Sequence, residues 1–280
     1  MDKPTFLREL ASRNDLWRQR ELVQAFVCCL DPEEAAEALV QVALGNEMLR
    51  RYLLRKISRD TQVKGSLPCH ERLLADLMAA FSTLDYGDKQ SCGYCLSSIH
   101  SLLPGHLQGR LVLFFLRSAY IGMRRRGYKI LRTDWDAAYE SEVTSVWAKH
   151  HDTECAILII EKFPDLFLLE HSDELERVLP NLATAAKLFI RLGMIDLHRV
   201  TPLKQRDSIT FAYVMTKLGK VFANDEALSL FEASKWDDRV GLLIWCFGQM
   251  GLWSTLSQIC DRSAELQEGQ LAHFRSQRGG

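Results

Sequence analysis

Apolar residues recur every three to four positions along almost the whole chain. "RELVQAFVCCL" places Leu22, Ala25, Phe26 and Cys29 at offsets of three and four, the spacing that gathers side chains on one face of a helix. Strand-like alternation is essentially missing. Polar punctuation falls where helices of this period would start and stop. Asp31-Pro32 before "EEAAEALVQVAL" predicts an N-cap with proline at the first helical position, and Thr201-Pro202 repeats the arrangement before "LKQRDSITFAYVMTKLG", predicting one helix there. Asp173 and Asn224-Asp225 predict further starts. Gly193 and Gly251 predict helix ends, where a left-handed cap costs glycine little, and His150-His151 reads as another. The seven prolines, at 4, 32, 68, 104, 164, 180 and 202, all fall at or beside a predicted boundary. The fold class is therefore expected to be all-α.

A slower recurrence overlies the helical one. "GYKILRTDWD", "LIIEKFPD", "LFIRLGMID", "VMTKLGK" and "WCFGQMGLW" each end an apolar helix and then turn; aligning Leu131, Phe163, Leu192, Leu218 and Met250 gives steps of 32, 29, 26 and 32 residues. Such steps lie in the range of helical repeats. On these residues, over roughly 90 to 265, the chain resembles the HEAT-like α-solenoids, and the resemblance implies antiparallel helix pairs stacked into a superhelix. The inter-helix Asp and second-helix Arg or Lys of that family occur only sporadically, so an irregular helical bundle is the alternative. No Gly/Ser-rich or Pro-rich linker divides the chain. "RDTQVKGSLPCH" at 59–70 is its most polar stretch, the expected hinge between an N-terminal helical subdomain or cap (1–62) and a repeat body (67–280).

Composition adds little to this until it is divided along the chain. With 280 residues, 47% of them hydrophobic, there is enough apolar material for a substantial core. The formal net charge of -1 conceals an asymmetry: residues 1–132 hold 20 Lys+Arg against 14 Asp+Glu, and residues 133–280 hold 15 against 22. Net charges of +6 and -7 bear on partners, not on fold. "MDKPTFLREL" has no secretory-signal pattern, and the longest apolar run, "LVLFFL" at 111–116, is far short of the roughly 20 residues that span a bilayer. Eight irregularly spaced cysteines read as free thiols in a reducing compartment, with the cytoplasm as the expected location.

"SCGYCLSSIH" carries a CxxC tetrapeptide that also occurs in disulfide isomerases of the thioredoxin fold. In that fold it follows a strand; here "STLDYGDKQ" precedes it. Cys92, Cys95, Leu96, Ile99 and Leu103 fall at offsets 0, 3, 4, 7 and 11, one apolar stripe on which a cysteine behaves as a small hydrophobe. A Cys3His zinc set from Cys69, His70, Cys92 and Cys95 is the competing reading, and adjacent Cys-His on a helix suits it poorly, the two side chains pointing about 100° apart. No metal or cofactor is expected. The Cys28-Cys29 pair has no partner motif.

The basic run is the better functional candidate. Residues 104–132 contain Arg110, Arg117, Arg124, Arg125, Arg126, Lys129 and Arg132 and no Asp or Glu. On the helix "MRRRGYKILR", Met123, Gly127, Ile130 and Leu131 would face the core, leaving Arg125, Lys129 and Arg132 as a ridge flanked by Arg124 and Arg126. Such forks suit phosphates or carboxylates; the competing reading is a solvated face paired with Asp134, Asp136, Glu140 and Glu142 downstream. Arg50, Arg51, Arg55, Lys56 and Arg59 form a smaller patch. "TDWD" and "KWDDRVG" place Trp beside Asp, as HEAT-like DNA glycosylases do, but without their helical-turn spacing, so that Asp136, Asp237 and Asp238 read more simply as helix-start acids. No nucleophile triad, phosphate loop or HExxH motif is present. The expectation is a non-catalytic protein-binding scaffold or adaptor for an acidic protein partner, with no membrane contact. Its binding residues are expected to be Arg117, Arg124, Arg125, Arg126, Lys129 and Arg132; nucleic-acid binding, with or without base excision, is the alternative.

Overall fold

The computed structural model describes residues 3–30, 32–64 and 70–261. Every regular element among them is helical, and they divide between two compact units, Met1–His150 and His151–Gly280. By sequence count the first holds 21 Lys+Arg against 18 Asp+Glu and the second 14 against 18. The units thus carry +3 and -4, a milder contrast than a division at residue 132 gives.

The first unit comprises α1 (Lys3–Ser12), α2 (Leu16–Val27), α3 (Pro32–Gly45), α4 (Glu47–Lys64), α5 (His70–Ala80), α6 (Tyr86–Ile99), α7 (Gly105–Leu116), α8 (Ile121–Thr133) and α9 (Glu140–His150). Helix α4 continues through residues 59–64, a stretch expected to be loop. Arg, Asp, Gln and Lys are polar but contain no breaker, and straight-chain polar residues propagate a helix well. Residues 65–69, Pro68 among them, lie outside the described residues, as does the expected cap Asp31. Helices on both sides of residues 62–67 pack together: α3 lies against α4 and α5, and α4 against α6.

The core of this unit is built where α4 meets α6. Leu49, Leu53, Leu54 and Ile57 are buried, as are Cys92, Cys95, Leu96 and Ile99. Each buried aliphatic side chain of this size contributes about 1.5–3 kcal/mol. On α2 the buried face is Gln19, Leu22, Val23 and Phe26, with the Phe26 ring stacked 3.9 Å from that of Phe6. Ala25 and Cys29, expected on that face, are exposed. The stripe lies one position over, and the helix stops at Val27, so its period does not extend to Cys28-Cys29.

The second unit comprises α10 (Thr153–Lys162), α11 (Asp165–Arg177), α12 (Leu182–Ile195), the single turn α13 (Leu203–Arg206), α14 (Ser208–Lys217), α15 (Asn224–Ser234), α16 (Val240–Gln249) and α17 (Trp253–Asp261). Helix α10 packs on α12, α12 on α14 and α14 on α16, while α15 packs on α16 and α17. The aligned positions of the recurrence mark these same helices. Leu131 and Leu192 sit in the last turns of α8 and α12, and Phe163, Leu218 and Met250 cap α10, α14 and α16. Steps of 26 to 32 residues therefore measure successive helix pairs, and the packing is repeat-like.

Three boundaries differ from expectation. Helix α11 begins at Asp165, directly after Pro164 as N-cap, so Asp173 lies inside it and caps nothing. Helix α12 runs through Gly193, which has a packing role: a Cβ there would lie 2.6 Å from Leu218 Cδ1 and 3.0 Å from Val200 Cγ2. Gly251, at φ +72°, does end α16 in the left-handed conformation. The helix predicted after Pro202 is broken in two at Asp207, whose carboxylate accepts from Thr210 N at 3.0 Å and so starts α14. An Asp side chain that satisfies a free amide competes with continuation of the helix.

Candidate binding surface

The six candidate residues of the basic run part company in the structure. Arg125, Lys129 and Arg132 are exposed along one side of α8, opposite the buried Met123, Gly127 and Leu131. The two expected flanking residues are drawn inward, because α8 is covered by α6 on one side and α7 on the other. Arg124 is 5% exposed, and its Nη1 donates to the carbonyls of Ser118 (3.0 Å) and Ala119 (2.9 Å). It braces the turn between α7 and α8, which corrects its placement as a solvated flank. Arg126 is half-buried; it donates to Ser97 Oγ at 3.1 Å and lies 5.9 Å from the Tyr94 ring centroid. Burial holds its pKa below the usual guanidinium value. Arg117, at the end of α7, makes a two-pronged pair with Glu142 of α9, Nε to Oε1 at 3.0 Å and Nη2 to Oε2 at 2.8 Å.

The smaller patch divides similarly. Arg50 and Arg51 reach across to α6, where the buried Asp88 accepts from Arg50 Nη1 at 2.5 Å and Arg51 Nε at 2.8 Å. Asp85, the N-cap of α6, accepts from Arg51 as well. Arg55 and Arg59, further along α4, are exposed.

A concave feature of the unit lies beside Arg117. It is a groove of about 840 Å³ with a floor of Phe81, Phe114 and Tyr120 and a rim bearing Lys89, Arg110 and Arg117. Phe81 meets Phe114 edge-to-face at 5.4 Å and Tyr120 at 6.1 Å. Lys89 Nζ donates to the Tyr120 hydroxyl at 3.0 Å and sits 4.6 Å from that ring's centroid, so a cation is stacked on the aromatic floor. No carboxylate is among the lining residues that are described. Of this group only Arg117 was a candidate from sequence, with Arg110 noted in the basic run. A signal for Phe114 does exist in "LVLFFL": the buried stripe of α7 is Leu107, Leu111, Phe115, and Phe114 falls off it. The approach of Phe81 and Lys89 from other elements has no such local trace.

The cysteine stripe is buried as its period predicts: Cys92, Cys95, Leu96 and Ile99 are fully buried and Leu103 nearly so. The Cys92 thiol donates to Leu77 O at 3.7 Å. Burial pushes the Cys92 thiol well above its usual range, and the Cys95 thiol up to about 12, which disfavours the reactive thiolate. Cys69 and the His70 side chain lie outside the described residues. Of the Trp-Asp pairs, Asp136 accepts from Ala138 N at 2.9 Å. Asp237 accepts from Arg239 through both backbone and side chain, and Arg239 also reaches Asp207 at 2.9 Å. Both carboxylates close local turns. No protein-family model matches the chain, nor does any curated protein or solved structure.

Proposed function

We propose that this protein is a non-catalytic adaptor with a solenoid-type helical-repeat body, whose first unit seats an acidic amphipathic helix of a partner protein in the groove above Phe81, Phe114 and Tyr120. The observation that carries this reading is the combination of an aromatic floor with a cationic rim and walls without a carboxylate among the described residues. A helix docking in a groove buries apolar residues spaced one turn apart and turns its flanks to the rim. Aromatic rings supply most of the energy at such surfaces, and Arg or Lys at the edge sets orientation and rate. Arg110, exposed and without an ion-pair partner among the described residues, is the rim cation open to an incoming carboxylate.

The test uses a labelled synthetic helix with leucines at one-turn spacing and glutamates on both flanks, a lysine-flanked counterpart and a DNA duplex, each followed by fluorescence anisotropy. The glutamate peptide is expected to bind, more weakly as salt rises, and to lose at least about tenfold in affinity with Arg110→Glu. Equal binding of the lysine peptide, or no binding of either, overturns the reading; binding of the duplex alone transfers it to nucleic acid.

A further inference from the structure

Arg55 and Arg59 stand one turn apart on α4 and open together onto a recess of about 410 Å³ whose other wall is Gln90, Ser91 and Tyr94 of α6. This recess shares no lining residue with the aromatic groove. Both guanidinium groups are exposed, and neither has a hydrogen-bond or ion-pair partner among the described residues. The contrast within one helix is informative. A turn earlier, Arg50 and Arg51 are neutralised by Asp85 and Asp88, and α6 carries no further Asp or Glu from Lys89 to Ile99. The acids that restrain the first two arginines therefore end before the recess begins.

The wall opposite adds recognition elements instead of counter-charge. Tyr94 leaves 46% of its surface exposed, and Arg126 from α8 approaches its ring and is fixed by Ser97. The Arg126 Nε is buried without an acceptor among the described residues. Two unpaired forks at i and i+4, a third guanidinium nearby, an amide and an open aromatic ring make a concave site complementary to a compact dianion. Its volume is within the range of small-molecule pockets.

We infer that this recess binds the phosphate group of a small phosphorylated molecule, held between the Arg55 and Arg59 forks with the remainder of the ligand against Tyr94. Isothermal titration of the full-length protein at low salt with inorganic phosphate, ribose 5-phosphate, AMP, adenosine and glutarate tests it. At least one phosphate compound is expected to bind while adenosine and glutarate do not. Arg55→Gln with Arg59→Gln is expected to weaken that binding by about tenfold or more, whereas Arg8→Gln with Arg18→Gln, the same charge removed from other exposed sites, leaves it within about twofold. Inorganic phosphate binding as tightly as the esters identifies the free ion as the ligand. Esters binding more tightly identify an organic phosphate, and AMP ahead of ribose 5-phosphate assigns the ring to Tyr94. Absence of binding by all three phosphates, equal binding of glutarate, or equal losses in the two double variants overturns the inference. All four substituted residues are exposed, so unchanged helicity and melting temperature verify that each variant is folded.

Discussion

Arg50 on α4 donates to Asp88 on α6 at 2.5 Å across 38 residues of sequence, and the carboxylate that receives it is 1% exposed. The same guanidinium donates to the carbonyls of Ala43 and Leu44 at the end of α3. One guanidinium group thus ties α3, α4 and α6 together. Removing one partner of a buried pair leaves the other charge uncompensated. Asp88→Ala is accordingly expected to destabilise the protein by about 3–5 kcal/mol, read as a lowered urea midpoint. A loss under about 1 kcal/mol would show that water reaches the arginines.

Thiol reactivity should follow burial. Cys28 and Cys29 are exposed, whereas Cys92, Cys95, Cys155 and Cys246 are buried, with the Cys246 thiol pushed up to about 11 and that of Cys95 to about 12 by burial. In a timed alkylation at pH 8 with mass-spectrometric readout, Cys28 and Cys29 are expected to label ahead of those four. The four buried thiols should label only as the protein opens, because the thiolate is the nucleophile. Rapid modification of Cys92 in the folded protein would restore the redox reading of the CxxC pair.

Acid should weaken the second unit through the Asp207–Arg239–Asp237 network. For Asp207, burial raises the pKa, but the donors Arg239 and Thr210 together outweigh it; for Asp237 the Arg239 hydrogen bond dominates, and both carboxyls end below their usual value. A depressed folded-state pKa gives stability that is present above the unfolded value of about 3.9 and lost as pH falls through the folded one. Arg239→Gln is therefore expected to lower the melting temperature by a constant amount between about pH 5 and 7, with the difference from wild type closing below about pH 4. A difference that persists unchanged down to pH 2.5 would assign the effect to packing.

Gly193 makes a steric prediction. The methyl group of Gly193→Ala would meet Leu218 and the fully buried Val200, so the helix-propensity gain of alanine is expected to be overridden by overpacking of about 1–3 kcal/mol. Thermal unfolding measures the sign; a stabilised variant would mean that the half-buried Leu218 side chain yields to the methyl group.

Much of the architecture was legible along the chain because it depends on local period. The helical spacing, the helix-pair step marked by Leu131, Phe163, Leu192, Leu218 and Met250, and the burial of Cys92 with Cys95 each follow from side chains a few residues apart on one cylinder. Cap competition was less legible: Asp207 breaks a helix that Asp173 and Gly193, with similar local credentials, leave intact. Which of these wins depends on Arg239, Val200 and Leu218, contributed by other elements.

What only the tertiary structure decided is which arginines remain open to a ligand. In the sequence, Arg50, Arg51, Arg55 and Arg59 are alike, as are Arg124, Arg125 and Arg126. Asp88, Asp85 and the carbonyls of Ser118 and Ala119 draw in some and leave others exposed. A charge is fixed by residue type, but its solvation and its partner are fixed by whatever the fold brings within about 4 Å, and those neighbours lie on other helices.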